Sequence, residues 1–384
     1  MLYDLIVIGT GSVGSSTGYY AAKRGLSVLE IDSATPPHTN GSHHGETRMI
    51  RHAYGEGSSY VPLVLRAQEL WNELKRDTQV DIFHQTGVLN IAPKQSIFLN
   101  NIITSAEKYE LPIEVYDASE ARKKWPQFTI PDQFRAVLEK NSGYLKSELA
   151  IDTYVKEAKR LGAHEQFNTQ VISVDNDDNG FVHVTTNAGT FIGKSAVITV
   201  GTWVKDLIPN LPIQPVRKVV SWFEAPKQLA EEIGFPAFTI QLGDGTHYYG
   251  FPANKGLIKI GRHQGGQYIT KREERLDFDA LNEDRTEIEP LLNSVLKTVG
   301  NLDHGVACSY DLSPDEHFIV DDLPGKKNIQ FVSGLSGHGF KFASVLGEIL
   351  VAKALNETLI LTSHHFCYRG LIHKKILKCF SKIK

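Results

Sequence analysis

The amino-acid sequence predicts an α/β fold: a Rossmann-like nucleotide-binding domain that carries an inserted α+β substrate domain built on a mixed β-sheet. Three observations predict it. A β-rich run, Leu5 to Ile8, opens directly into Gly9, Gly11 and Gly14 at the head of the chain. A second passage of the same kind, strand then glycines then helix, returns near the other end at Gly334 to Lys341. Between them lie β-type runs such as Tyr248 to Phe251 and Leu257 to Ile260, with no internal repeat.

The bulk properties narrow the class. A chain of 384 residues suits two domains or one large α/β unit. Its 41 basic and 44 acidic residues leave a net charge of −3, so no global field gathers nucleic acid. Three cysteines, Cys308, Cys367 and Cys379, are too few for a disulfide framework and suit a reducing compartment. The N-terminus lacks a basic n-region, and no apolar run approaches the roughly 18 residues of a membrane helix. The expectation is a cytoplasmic, unprocessed protein without a membrane span.

After the first strand, a helix is expected from Ser12 to Arg24, stopped by Gly25, and a second strand from Ser27 to Ile31. That strand ends at Asp32, 18 residues beyond Gly14, which completes a dinucleotide-binding βαβ fingerprint. The glycines let backbone approach a pyrophosphate, the helix amides receive its charge, and a carboxylate at the strand end accepts ribose hydroxyls. Glu30 rivals Asp32 for that role, but alternation puts it inside the strand. The polar stretch from Pro36 to Gly57, dense in His and Arg, reads as a long functional loop or a solvated connector. A helix follows with Leu63, Val64, Ala67, Leu70, Trp71 and Leu74 on one face.

Strand pairs near Gln170 to Val174 and Val182 to Thr186, the run Ala196 to Gly201, and Asn328 to Val332 point back to the nucleotide domain. The chain therefore divides into nucleotide-domain parts at 1–81, 146–212 and 321–362, substrate-domain parts at 82–145 and 213–320, and a basic tail at 363–384.

The second glycine cluster, with Gly337 and Gly339, leads into a helix whose free amides could face an anion. Two such turns at opposite ends of one chain favour FAD, a long cofactor gripped at both ends, over a nicotinamide dinucleotide. Cys308 reads by default as a small buried hydrophobe, with a covalent flavin anchor as the alternative. Arg48, Arg51, Lys259, His263 and Lys341 could surround a small acidic substrate. Lys259, between Ile258 and Ile260, should point to the face opposite those two. His43 and His44 diverge as neighbours and complete no ligand set, so no metal is expected.

Taken in order, the Gly9 to Gly14 fingerprint, PPHTNGSHHGETRMIRHAYGEG, YYGFP, the lysine of IKIGRH, Cys308-Ser309-Tyr310 and GLSGHGFKF resemble the monomeric sarcosine oxidase family. The resemblance runs to about Leu355. It implies an FAD-binding domain of the glutathione-reductase type and one FAD per chain, linked through a thioether to Cys308. It implies oxidation of an N-methyl amino acid, with hydride passing to flavin N5, hydrolysis to formaldehyde and reoxidation by O2 to hydrogen peroxide. By position, Arg48 and Lys341 would pair with the substrate carboxylate, Tyr249 and His263 would line its pocket, and His44 would stand near the flavin. Lys259 would favour oxygen reduction, and Thr47 and Arg51 would contact or tune the flavin. Resemblance in segments such as SELAIDTY, GTWVKDLIP and KIGRHQGG implies N-methyl-L-tryptophan rather than sarcosine as substrate. The alternatives are a sarcosine oxidase acting on small N-methyl amino acids, a nicotinamide dehydrogenase, and a flavin-binding protein without turnover.

The resemblance implies a monomer whose partners are a small molecule and O2. One departure concerns the tail, where Arg369, Lys374, Lys375, Lys378, Lys382 and Lys384 stand without an acid after His364. Ile372, Ile376, Cys379, Phe380 and Ile383 share one helical face there, so a surface-binding amphipathic helix stands beside a merely altered terminus.

Overall fold

Leu5 to Ile8 is apolar at every position because both faces of its strand are covered. Leu5 and Val7 join one core with the helices, whereas Ile6 and Ile8 join a second core on the opposite side. A computed structural model of the chain describes residues 1–357 and the short strands Ile360–Leu361 and Phe366–Cys367. The amphipathic helix considered for the tail lies outside the described residues.

The first sheet has eight strands. Its parallel centre sets Leu2–Ile8 between Val28–Ile31 and Gly189–Ile198, with Ile329–Ser333 beyond the latter and His164–Gln166 beyond the former. Val171–Asn176 and Val182–Thr186 extend it as an antiparallel meander. The helix Ser12–Lys23 packs against Ala343–Ala354. That contact is close because Gly347 has no side chain: a Cβ there would stand 2.3 Å from the Ser16 hydroxyl, which donates to the Ala343 carbonyl at 2.6 Å. The helix Val61–Thr78 buries the predicted stripe from Leu63 to Leu74, and Trp71 Nε1 donates to the Lys341 carbonyl at 2.9 Å.

The second sheet has nine strands, drawn from Val88–Asp117, Phe134–Glu139 and the long stretch Gln214–Leu312. Strand alternation sorts its side chains. On Ala237–Gln241, His247–Gly250 and Leu257–Arg262, the residues Phe238, Ile240, Tyr248, Ile258 and Ile260 enter an apolar core. The residues between them, Thr239, His247, Tyr249 and Lys259, face a cleft between the two sheets, as do Phe251 and His263 just past their strands. A small three-stranded sheet, Thr47–Ile50 with Gly143–Lys146 and Phe83–His84, lies beside it.

The stretch from Pro36 to Gly57 is thus no solvated connector. It holds the strand Thr47–Ile50, and His43, His44, Arg51 and His52 along it are buried. Among the described residues no helix is long and apolar enough to cross a membrane.

Candidate active site

The cleft has a volume of about 280 Å³ and runs from Gly9, Gly11 and Asp32 at one end to Arg51, Phe98 and Lys341 at the other. At the first end Gly14 serves packing, since a Cβ there would stand 1.8 Å from the Gly9 carbonyl oxygen. Asp32 accepts the Thr10 amide at 2.7 Å and the Ala34 amide at 3.0 Å, with His38 at 3.1 Å. Burial opposes its ionisation, but His38 and these amides hold its carboxyl below the usual range. Glu30 lies within the strand against Gly18, with both carboxyl oxygens buried and without a partner among the described residues. Burial, with Glu165 and Asp32 nearby, raises its proton affinity well above the ordinary value.

Midway, the hydroxyls of Ser42, Thr202 and Ser309 form a chain, with Thr202 to Ser42 at 3.1 Å and to Ser309 at 2.9 Å. Cys308 is buried beside them in the cleft wall. The second glycine turn closes this part. Asp311 accepts the Gly334 amide at 2.8 Å, and the Ser336 amide donates to its carbonyl at 3.1 Å. Gly337, at φ +76°, admits the Tyr310 ring: a Cβ there would come within 2.2 Å of it. Gly339 gives similar room to Leu335.

At the far end stand the cations. Arg51 and Lys341 both lie over the Tyr54 ring, at 5.3 and 5.2 Å from its centroid. Lys341 Nζ donates to the His338 carbonyl at 2.7 Å and reaches the Tyr54 oxygen at 3.4 Å. His338 donates from Nε2 to the Glu316 carbonyl at 3.0 Å, which leaves Nδ1 to accept the Tyr54 hydroxyl at 2.7 Å. Burial, then Lys341, pushes the His338 pKa down to about 3, in keeping with that tautomer. Burial and Arg51 lower the Lys341 pKa to about 7. Arg51 pairs with Glu56. Burial works against the Glu56 carboxylate, yet Arg51 and the neighbouring cations bring its pKa down to about 2.

The expectation paired Lys341 with Arg48, whereas the arginine that shares the Tyr54 ring with Lys341 is Arg51. Arg48 lines the cleft, with Nη1 donating to the Thr47 carbonyl at 2.8 Å and Nη2 to the carbonyls of Ser42 and His44 at 2.6 and 2.7 Å. It braces the turn from Ser42 to Thr47, and Arg51, just past the end of the strand Thr47–Ile50, is the arginine that shares the Tyr54 ring with Lys341. Arg51 Nη1 is buried without a partner among the described residues.

Lys259 points away from Ile258 and Ile260, as alternation predicts. Its ammonium donates to the Gly45 carbonyl, to the Thr47 carbonyl at 2.9 Å and to the Thr47 hydroxyl at 3.2 Å. Those three acceptors match its three N–H groups, while burial and Arg48 drive its proton affinity well below normal. Glu148 pins the same turn, accepting the Gly45 amide at 2.6 Å and the Glu46 amide at 3.0 Å. Tyr249 reaches the cleft by lying over Gly261, where a Cβ would meet its hydroxyl at 2.5 Å. Burial pushes the Tyr249 pKa up to about 12 and the His263 pKa down to about 4. His44 and Thr47 stand behind the cleft wall. Burial, then Arg48, lowers the His44 pKa to about 4.

Sequence reasoning missed Glu56, Phe98, Glu148, Thr202, His247 and Asp311. Only His247 carried a local signal, since it stands two residues before Tyr249 on the same strand.

The residues fit a long dinucleotide cofactor. The cleft has the Asp32 carboxylate at one end and a second glycine turn further along, with the buried polar atoms His43 Nε2 and Arg51 Nη1 in its wall left without partners among the described residues. A family profile described as FAD dependent oxidoreductase matches residues 4–353, and the chain belongs to that family. Among curated relatives, N-methyl-L-tryptophan oxidase of Salmonella dublin is 50% identical over 358 residues, covering 93% of this chain and 96% of the relative. Solved structures share the fold. NikD, an unusual amino acid oxidase essential for nikkomycin biosynthesis, superposes with a TM-score of 0.79 at 20% identity, over 92% of this chain and 94% of its own. Glycine oxidase from Geobacillus kaustophilus does so with a TM-score of 0.78 at 18% identity, over 94% and 99%.

Proposed function

We propose that the protein oxidatively demethylates N-methyl-L-tryptophan, converting it with O2 and water to tryptophan, formaldehyde and hydrogen peroxide. The observation that carries this reading is the convergence of Arg51 and Lys341 on Tyr54 at the end of a cleft whose floor holds Tyr249, Lys259 and His263. The 50% identity to N-methyl-L-tryptophan oxidase supports the choice of substrate.

FAD, when bound, supplies the two-electron acceptor for the N-methyl C–H bond and passes the electrons to dioxygen. Gly9, Gly11 and Asp32 would hold its adenosine end, and Cys308 would hold it by a thioether. Arg51 and Lys341 bind the substrate carboxylate and so fix which end of the amino acid points into the cleft. Tyr249 and His263 border the amine; His263, kept uncharged by burial, raises no barrier to an uncharged amine. Lys259, whose three acceptors favour the ammonium form against the opposing pull of burial, would contribute positive charge where oxygen is reduced. The family resemblance also supports a cytosolic monomer, which its elution volume and cellular fractionation would check.

The test is direct. Purified protein should release peroxide and formaldehyde in equal amounts from N-methyl-L-tryptophan, and its acid precipitate should stay yellow. Cys308→Ser should give a colourless precipitate. Absence of peroxide with a yellow pellet would remove the substrate assignment and keep the cofactor.

A further inference from the structure

Beyond the carboxylate-binding cations, the cleft ends in an aromatic corner that the reaction itself does not use. Phe98 stands on the helix Ile97–Lys108, whose start is fixed by Ser96 accepting the Leu99 amide at 3.2 Å. Its ring meets the His247 ring edge-on, with centroids 4.9 Å apart and planes at 75°. The Arg51 guanidinium lies 5.1 Å from the Phe98 centroid.

The corner is built from both sides. A Cβ on Gly55 would come within 2.5 Å of the Phe98 ring, so only glycine lets that ring settle, and Asn101 Nδ2 ties the helix to the Gly55 carbonyl at 2.9 Å. His247 sits two residues from Tyr249 on one strand, so both face the cleft. Its imidazole makes no side-chain hydrogen bond among the described residues. Burial, then Arg51, lowers its proton affinity, which leaves an uncharged ring with one free acceptor nitrogen.

We propose that Phe98 and His247 form the specificity-determining subsite for the substrate's side chain, Phe98 meeting an aromatic ring and a His247 nitrogen accepting the N–H of an indole. This rests on the reading of Arg51 and Lys341 as the carboxylate site. An amino acid held there by its carboxylate carries its side chain past Arg51 onto the Phe98 ring. A side chain without a ring leaves that surface unfilled, and one without an N–H leaves the imidazole unpaired.

Calorimetric titration of the purified enzyme with indole-3-acetate, phenylacetate and acetate tests the subsite without turnover. The enzyme should bind the indole most tightly. Phe98→Leu, which keeps bulk but removes the ring, should shrink the preference for indole-3-acetate over acetate by roughly fivefold. His247→Phe should keep phenylacetate binding while narrowing the preference of indole over phenyl by roughly three- to tenfold, the worth of one neutral hydrogen bond. The kcat/KM ratio of N-methyl-L-tryptophan to N-methyl-L-alanine should fall in step for Phe98→Leu. Wild-type preferences retained in both variants, or indole-3-acetate binding no tighter than acetate, would overturn the subsite. A preference that depends on both residues, in an enzyme giving no peroxide from N-methyl-L-tryptophan, would support the subsite and remove the proposed reaction alone.

Discussion

Arg51 and Lys341, 290 positions apart in the chain, rest on the same aromatic ring, each a little over 5 Å from the centroid of Tyr54. One comes from the strand-bearing segment after the first βαβ unit, the other from the turn leading into the helix Ala343–Ala354. Two like charges at this spacing repel, and burial makes that worse. Glu56 offsets the charge of Arg51 in part, and under the proposed reading a ligand carboxylate between the two cations relieves the remainder.

Replacing Arg51 with Gln should therefore weaken binding of a carboxylate ligand such as indole-3-acetate by about 2–5 kcal/mol, because Lys341 and Glu56 are left incompletely matched. Arg48→Gln should instead lower the thermal midpoint, since it removes the braces on three backbone carbonyls. Calorimetry and a melting curve on the two variants separate the roles; an unaltered affinity in Arg51→Gln would remove it from the carboxylate site.

Acidity gives a second handle on the same pair. Lys341 in the ligand-free protein loses its proton near pH 7. Affinity for a carboxylate lacking an amine should be full below that pH and decline above it, by up to roughly tenfold per pH unit. Lys341→Arg stays charged throughout and should flatten the profile. A wild-type profile that is flat from pH 6 to 9 would contradict the assignment.

Lys259→Met should slow reoxidation of the reduced enzyme by O2 on the order of a hundredfold or more, while anaerobic reduction by substrate changes far less. Stopped-flow absorbance measures both half-reactions. Equal losses in the two would mean that Lys259 serves only to hold Gly45 and Thr47.

Glu30 should limit stability. Its carboxyl is raised on folding, so folded and unfolded chains are both protonated below the ordinary glutamate range, and no difference exists there. As pH rises through that range the unfolded chain ionises while the folded one resists, and stability falls until the raised pKa is passed. Glu30→Gln should stabilise the protein at neutral pH by roughly 1–3 kcal/mol and flatten the slope, read from urea midpoints at pH 5 and 8. No gain at pH 8 would show that Glu30 is ionised and paired after all.

Much of the nucleotide end was legible because its chemistry is local. The glycines, the helix from Ser12 and the carboxylate of Asp32 lie within one βαβ unit, where backbone reach, helix dipole and strand length set the spacing. Lys259 was legible for a related reason: strand alternation is a property of neighbours, and Ile258 and Ile260 announced the buried face. Phe98 and Glu148 were not legible, since each is an ordinary residue at a helix start and becomes part of the site only through what a distant segment lays against it.

The sequence by itself determined the dinucleotide fold, the second glycine turn and the set of cations available. Which arginine faces Lys341 was decided by tertiary structure alone. Arg48 and Arg51 have the same chemistry three residues apart, and only the folded turn supplies the carbonyls of Ser42, His44 and Thr47 that occupy one and the Tyr54 ring that receives the other. A guanidinium's role depends on which acceptors are within hydrogen-bond reach, and those come from chain segments that meet only after packing.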